Sequence, residues 1–275
     1  VNVAYEAATA DLNDVNMIDP FHLEAYGETT VNYNRDVEIF PVLNAMLTKI
    51  VGKSVYRSPT DMGVNMAGNC IFDDEAVCKA SNDEVIRRYY ESACLARQGL
   101  CEESVMHRIE LLMNQLGIST ADRKCVKAAL DKAELTGAPA AAIETDDGEL
   151  ITGKTSPLLG ASSAMLLNVL KKLGGIPDEM PILSPSVIEP IQRLKIENMG
   201  NHNPRLHADE VLIALSICAA TSPVAKCALE QLPKLKGLQA HSSVILSTVD
   251  SQTFKKLGIN MTNEPKSQTK KLYHK

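Results

Sequence analysis

Aromatic residues and long apolar runs are scarce in this sequence of 275 residues. Aromatic residues make up 4% of it and tryptophan is absent, whereas 45% of the residues are hydrophobic, so its cores must be aliphatic. No apolar run approaches the roughly 20 residues that a membrane-spanning helix requires. The sequence also lacks the charged-then-apolar leader of a secreted protein. We therefore expect a soluble, cytoplasmic protein with no membrane partner.

The cysteines lack the spacing of a metal site or a disulfide framework. There are seven of them, an odd number, and no two are separated by the two residues typical of a C-x-x-C pair. This pattern favours reduced cysteines that serve as small hydrophobic residues, which fits a cytoplasmic protein.

Basic charge is also in short supply, and it is unevenly distributed. The net charge is −6, and residues 1–50 carry eight acidic side chains against two basic ones. Residues 254–275 reverse this balance with six lysines and one glutamate, but they contain no arginine. Nucleic-acid binding would rest on this tail alone, and we predict a solvated terminus instead.

The first half of the sequence predicts a series of helices. The pattern is clearest over residues 102–117, where apolar residues recur at helical spacing and a glycine ends the segment. Similar patterns cover residues 36–52 and 73–99. A further helix is predicted over residues 119–137, with Ser119 or Thr120 as its cap. We place the end of a mostly helical domain, residues 1–137, at the sequence Gly137-Ala138-Pro139.

The second half, residues 138–275, alternates strand and helix patterns. Two short strands flank Asp147-Gly148, which is a strong hairpin signal. Helices are predicted over residues 160–175 and 208–220 and after Pro223. Short apolar pieces around Ile182 and Ile196 are candidate strands, and "HSSVILST" and "NMTN" are further strands that flank a short helix. Such alternation is typical of a layered α/β domain.

One motif combines basic and acidic side chains directly before an apolar helix. In "NMGNHNPRLHADEVLIALS" (residues 198–216), Asn203-Pro204 predicts a turn and His207 begins the first turn of the helix. Free N–H groups at a helix start attract anions. Arg205 would add a bidentate grip on a phosphate or carboxylate, and His207 would donate a hydrogen bond or transfer a proton. The alternative is simple capping, in which Asp209 and Glu210 satisfy the helix dipole.

Two other uses of the histidines are less favoured. A metal site would need His202, His207, Asp209 and His241, but the first two histidines are five residues apart across a turn, so we predict no metal site. His241 stands next to Ser242, yet neighbouring strand residues point to opposite faces, which disfavours a nucleophile pair. Both side chains remain candidates for lining one ligand pocket at the start of the strand.

Two polar segments of the first half are candidates for ligand binding. "YGETTVNYNRD" (residues 26–36) is dense in hydrogen-bonding side chains, among them Asn32, Asn34 and Arg35. "SPTDMGVNMAG" (residues 58–68) places Asp61 in a glycine-containing turn. Ordinary loop structure is the alternative for both segments.

Several long phrases together resemble the bacterial family of the domain of unknown function 1846. They are "VNVAYEAATADLNDVNMIDPFHLEAYGETTVNYNRD", "SPTDMGVNMAG", "IELLMNQLGISTADR", "NHNPRLHADEVLIAL" and "LKGLQAHSSVIL". Members of this family are about twice as long, and Val1 is not a start methionine. We therefore predict that the chain is the C-terminal half of such a protein.

The resemblance carries further implications. It implies a last domain with the three-layer α/β arrangement also seen in nucleoside deaminases, so the predicted fold is α+β or α/β with a mixed sheet. The deaminase signature H-x-E with P-C-x-x-C is absent, so neither that zinc ion nor that reaction is implied. The family's other half carries a phosphate-loop-like stretch, which implies ATP binding by the intact protein. No G-x-x-x-x-G-K-[ST] motif occurs here, so we expect no cofactor in this part of the chain.

Two hypotheses about function follow. The first is part of an enzyme that binds a nucleotide or phosphorylated small molecule between its halves, with an N-terminal half as partner. The second is a structural part that mediates self-association into a homo-oligomer, with no chemistry of its own. The site residues predicted under the first hypothesis are Asn32, Asn34, Arg35, Asp61, Asn203, Arg205, His207, His241 and Ser242.

Overall fold

The computed structural model describes residues 45–53 and 74–268. The chain divides into two compact units, Val1–Asp122 and Arg123–Lys275. The sequence-based boundary at residue 137 differs from this division by one helix, because the helix before residue 137 packs on the sheet of the second unit. Within the part of the chain that the structure describes, no helix has the length and apolarity needed to cross a membrane.

The described residues of the first unit form helices joined by short turns, as predicted. A helical stretch covers residues 45–51, and it is followed along the chain by α1 (Asp74–Arg97) and α2 (Glu103–Leu116). Helix α2 buries Ile109, Leu112 and Met113 on one face and ends at Gly117, whose positive φ of 69° suits glycine.

The second unit begins with α3 (Lys124–Thr136), and its predicted cap was wrong. Thr120–Asp122 forms a separate 3-10 turn in which the Asp122 carboxylate accepts the N–H of Ser119. Neither Ser119 nor Thr120 therefore caps α3, and Arg123 occupies the N-cap position instead.

A mixed four-stranded sheet forms the centre of this unit. Its strands are β1 (Ala140–Glu144), β2 (Leu150–Lys154), β3 (Gln239–Ser242) and β4 (Asn260–Asn263), in the order β2-β1-β3-β4. Strand β1 is antiparallel to β2 and β3, whereas β3 and β4 are parallel. Strands β2, β3 and β4 consequently end at the same edge, at Lys154, Ser242 and Asn263. We call this edge the carboxyl edge.

Helices cover both faces of the sheet, which confirms the predicted layered fold. The helices after β2 are α4 (Ala161–Leu173), α5 (Pro185–Arg193), α6 (Ala208–Ala219), α7 (Pro223–Leu229) and α8 (Thr248–Lys256). Successive residues of β1 point to opposite faces. Ala141 and Ile143 pack in the main core with α4 and α6, and Ala142 packs with Cys125 of α3 on the other side.

The two apolar pieces proposed as extra strands have other structures. Ile182 lies in a bend before α5, and Ile196 lies in a π-helical turn, Leu194–Asn198. Within this turn the charged Lys195 is buried, whereas the apolar Ile196 is partly exposed. Alternation of apolar residues was too short in both places to distinguish a strand from a turn.

Gly153 fixes the position of α4 on β2. A Cβ atom at residue 153 would lie 2.1 Å from the backbone nitrogen of Met165, so no other residue fits without a shift of the helix. Helix α4 therefore lies directly against the strand, and its first turn lies at the carboxyl edge.

Candidate functional site

The predicted site residues fall into three groups, of which the structure describes two. Asn32, Asn34, Arg35 and Asp61 lie outside the described residues. Asn203, Arg205 and His207 lie together in the segment before α6. His241 and Ser242 lie in β3.

Residues 203–207 are fastened to the loop that joins β2 to α4. The Asn203 side-chain oxygen accepts the N–H of Arg205 at 3.1 Å, which closes the predicted turn. Leu206 forms a parallel bridge with Leu159, and its carbonyl accepts the hydroxyl of Ser163 at 2.9 Å. The segment before α6 thus lies against the start of α4.

The side chain of Arg205 donates a hydrogen bond to this loop. Its Nε donates to the carbonyl of Ser156 at 2.7 Å, and the side chain is half-buried. A guanidinium is protonated throughout the physiological pH range, so Arg205 places a cationic side chain beside the loop.

His207 is held in place by a carboxylate from α8. Its Nδ1 lies 3.0 Å from Oδ2 of Asp250, and the same carboxylate accepts the N–H of Ala208 at 2.8 Å through Oδ1. Ser247, the N-cap of α8, donates its hydroxyl to Oδ2 at 2.9 Å. Asp250 thereby connects the starts of α6 and α8. Because Nδ1 is used, Nε2 is the ring nitrogen of His207 that can exchange a proton.

The charges of this pair shift each other's pKa. The hydrogen bond to Asp250 raises the pKa of His207 above its ordinary value, against the opposing effect of burial. Burial by itself would raise the pKa of Asp250, but the hydrogen bonds from His207, Ala208 and Ser247 lower it below its ordinary value. The pair therefore favours a charged imidazolium next to a carboxylate.

A second ion pair lies on the other side of the same segment. Lys195 is 3% exposed, and its ammonium group donates to Oε2 of Glu210 at 2.6 Å and to the carbonyl of Arg205 at 2.7 Å. Oε2 of Glu210 also accepts the N–H of His207 at 2.8 Å. Lys195 and Glu210 thus neutralise each other and fix the backbone on both sides of Leu206.

His241 and Ser242 have internal partners that differ from those of His207. The His241 side chain is fully buried, with Nδ1 2.9 Å from the Thr262 hydroxyl and Nε2 3.3 Å from Oε1 of Glu264. Burial lowers the pKa of His241, so its neutral form is favoured. The Ser242 hydroxyl donates to the carbonyl of Val244 at 2.8 Å. Among the described residues, His207 and His241 therefore share no hydrogen-bond partner.

Sequence reasoning missed Asp250, Ser247 and Lys195. Asp250 is 43 residues from His207, so nothing local to the motif indicated it. One signal was available: Ser247 and Asp250 have the S-x-x-D spacing of a helix start, which marks the first turn of α8. Among the described residues, no group of three His, Cys, Asp or Glu side chains is arranged to hold a metal ion.

Family comparisons match nearly the whole chain. Residues 1–117 match the model described as "Domain of unknown function DUF1846, N-terminal", and residues 121–273 match the corresponding C-terminal model. Similar proteins include those named UPF0371 protein from Streptococcus pneumoniae strains JJA, CGSP14 and P1031. Each is 56% identical to the chain over 275 residues, which cover 56% of the relative's length.

These matches correct one prediction. The chain is not the C-terminal half of the family alone, because residues 1–117 match the N-terminal model. It carries parts of both domains and spans little more than half the length of these relatives.

Proposed function

The chain belongs to the bacterial DUF1846 family, and we propose that it binds a nucleotide or phosphorylated small molecule at the carboxyl edge, with His207 as an acid–base group beside the ligand. The observation that carries the proposal is the pair of His207 and Asp250, which joins the starts of two helices at this edge. In layered α/β folds, ligands bind at the carboxyl ends of the strands, where helices begin.

Each side chain has a separate part in this function. Arg205 supplies positive charge to the ligand's anionic end, and its bond from Nε to the carbonyl of Ser156 holds it beside the loop that leads into α4. His207 transfers a proton through Nε2, while Asp250 orients the ring through Nδ1. The Lys195–Glu210 pair holds the segment in position. The family resemblance makes ATP the first nucleotide to test.

A thermal-shift screen of the intact chain tests the proposal. The probes are ATP and other nucleotides, and phosphorylated metabolites such as sugar phosphates. We expect at least one of them to raise the melting temperature of the wild type and to lose most of this effect with Arg205→Ala. The matched control is Arg193→Ala, because Arg193 is an exposed arginine at the end of α5. A probe that stabilises the wild type and Arg205→Ala equally would contradict the role of Arg205.

His207 is tested separately, because its role is chemical. His207→Gln keeps a polar side chain but has no group that titrates near neutral pH. We expect the variant to bind the same probe but no longer to convert it into product. Product formation is followed by phosphorus NMR. Equal conversion by the wild type and His207→Gln would refute the acid–base role.

Self-association is the second candidate function. Ile213 and Ile217 lie one turn apart on α6 and are 59% and 68% exposed, so α6 presents an apolar face. We expect the chain to form a homo-oligomer through this face. The double variant Ile213→Ser, Ile217→Ser should be a monomer. Light scattering at micromolar concentration measures this, and a monomeric wild type would contradict it.

A further inference from the structure

The two faces of strands β3 and β4 differ in chemical character. On the side of α4 and α6, Ala240 belongs to the main apolar core and Met261 packs against it. On the opposite side the buried residues are polar, since His241 is 0% exposed and Thr262 is 3% exposed. His241 pairs with Ala142, which lies on the α3 side of the sheet. An ionisable ring is therefore buried on the α3 side, at the junction of β3 and β4.

The contacts of His241 indicate which ring nitrogen carries the hydrogen in the neutral form. Nδ1 lies 2.9 Å from the Thr262 hydroxyl, and Nε2 lies 3.3 Å from Oε1 of Glu264. An ionised carboxylate only accepts hydrogen bonds, so the neutral ring carries its hydrogen on Nε2, on the side of Glu264. Nδ1 then accepts the hydrogen of the Thr262 hydroxyl. This contact between β3 and β4 consequently depends on an unprotonated Nδ1.

A second proton on the ring would have to bind to Nδ1. The Thr262 hydroxyl would then turn away from Nδ1 to the carbonyl of Ala240, which lies 3.2 Å from it. That carbonyl already accepts Nη2 of Arg123 at 3.2 Å. Because Arg123 is 2% exposed, protonation of His241 would place a second buried cation two hydrogen bonds from the first.

Charged groups from the neighbouring elements act on this ring in both directions. Burial has the largest effect and lowers the pKa of His241 below its ordinary value of 6.5. The Glu264 carboxylate opposes this shift, whereas Arg123 and Lys266 act in the same direction as burial. The α3 side of the sheet also carries other ionisable side chains from α3 and β1: Cys125, Lys132, and Lys124 with Glu144, which form an ion pair at 3.2 Å.

Strand β4 is the part of the sheet that can separate from His241 at the lowest cost. It has four residues, and among the described strands it is an outer one that pairs only with β3. Beyond it, Glu264 donates its N–H to the carbonyl of Ser242 at 2.8 Å, and the carbonyl of Lys266 accepts the N–H of Ile245 at 2.9 Å. Short outer segments open locally more often than central strands. Opening of β4 removes the strand partners of the His241 ring and allows it to take up a proton from water.

We propose that His241 makes this edge of the sheet acid-sensitive: β4 and the residues up to Lys266 detach from β3 more often as the pH falls, because the detached ring accepts a proton that the paired ring excludes. The loop that leads into α8 is released as well, since Ile245 in that loop loses its partner Lys266. This device goes beyond the proposed function and does not require a ligand at the carboxyl edge. An exposed imidazole has a pKa near 6.5, so lowering the pH from about 7.5 to about 5.5 increases the open population by at most about tenfold.

The test is hydrogen exchange of the full chain, followed by mass spectrometry at about pH 5.5 and about pH 7.5. Labelling times are scaled for the pH dependence of chemical exchange. Peptides covering residues 259–266 should lose up to about tenfold in protection at the lower pH, whereas the β1–β2 hairpin should not. In His241→Gln, which has no titrating ring, protection of residues 259–266 should be the same at both pH values. The matched control is His107→Gln, because His107 is an exposed histidine of α2 and its replacement should keep the wild-type pH dependence.

A titration of the wild-type imidazole resonances by NMR keeps the inference testable if His241→Gln does not fold. The nitrogen shifts of His241 should show a neutral ring with its hydrogen on Nε2, and its pKa in the folded chain should lie below 6.5. A folded pKa at or above 6.5, or equal pH dependence of residues 259–266 in the wild type and His241→Gln, would overturn the inference. An equal loss of protection in the β1–β2 hairpin would overturn the assignment to β4.

Discussion

Replacing Asp250 by asparagine tests the contact that joins α6 to α8. Oδ2 of Asp250 accepts bonds from His207 and Ser247, and Oδ1 accepts the N–H of Ala208. The amide has nearly the same size but only one acceptor oxygen. Two bonds to a charged acceptor are then lost or reversed, and the remaining one has a neutral acceptor. Because a bond to a charged group contributes about 1.5–3 kcal/mol, we expect Asp250→Asn to lower the free energy of unfolding by about 2–4 kcal/mol.

This cost should depend on pH in a definite direction. The folded pKa of His207 is raised above 6.5, so its contribution is fully present below pH 6.5 and is lost as the pH rises through the folded pKa. The folded pKa of Asp250 is lowered below 3.8, so its contribution is present above pH 3.8 and is lost as the pH falls further. The cost of Asp250→Asn should therefore be larger at about pH 6 than at about pH 9.

Hydrogen exchange measured by mass spectrometry in increasing urea is a suitable assay. Aromatic fluorescence would not report on this region, because tryptophan is absent and all seven tyrosines lie outside residues 123–268. Peptides from α6 and α8 should lose protection at lower urea in Asp250→Asn. Asp146→Asn makes the same chemical change in an exposed turn and should leave the transition unchanged. A cost for Asp250→Asn below about 0.5 kcal/mol, or one independent of pH, would refute the reasoning.

Three further predictions concern the same unit. Gly153→Ala should destabilise the second unit by about 1–3 kcal/mol, because the added Cβ atom would overlap with α4. Gly160→Ala should be nearly neutral, because a Cβ atom there has open space. Thermal unfolding measures both, and equal effects would contradict the packing argument. The free-energy cost of His241→Gln, measured in urea, should shrink as the pH falls from about 7.5 to 5.5, because burial lowers the folded pKa of His241 and protonation of the unfolded state then destabilises the wild type; a constant cost would show that folding does not shift the pKa of His241. Lys195→Met should lower the free energy of unfolding by about 3 kcal/mol in the same assay, because it leaves the Glu210 carboxylate without its ion-pair partner. Adding Glu210→Gln should recover part of this stability. Strictly additive losses would contradict the pairing of Lys195 with Glu210.

Local patterns allowed much of the fold to be predicted. Asp147-Gly148 marked the hairpin between β1 and β2, where Gly148 has a positive φ of 80° and donates its N–H to the carbonyl of Thr145 at 2.8 Å. Glycine after an apolar pattern marked the ends of α2 and α3, at Gly117 and Gly137. Each of these signals depends on the conformation of one or two residues.

The parts that failed depend on contacts distant in sequence. Ile196 was assigned to a candidate strand, but the π-helical turn around it is held by Lys195, whose partner Glu210 is 15 residues away. The motif indicated Arg205 and His207, and their part in ligand binding stays a prediction. It did not give Asp250, because an acidic residue in a distant helix can be assigned to a histidine only when the sheet topology is known.

The most direct test of the central claim is hydrogen exchange of the intact chain with and without the probe that stabilises it in the screen. If the ligand binds at the carboxyl edge, exchange should slow in residues 156–163 and 205–210, where the loop into α4 meets the segment around His207. Slower exchange only in other regions, with these two segments unchanged, would contradict a ligand site at this edge.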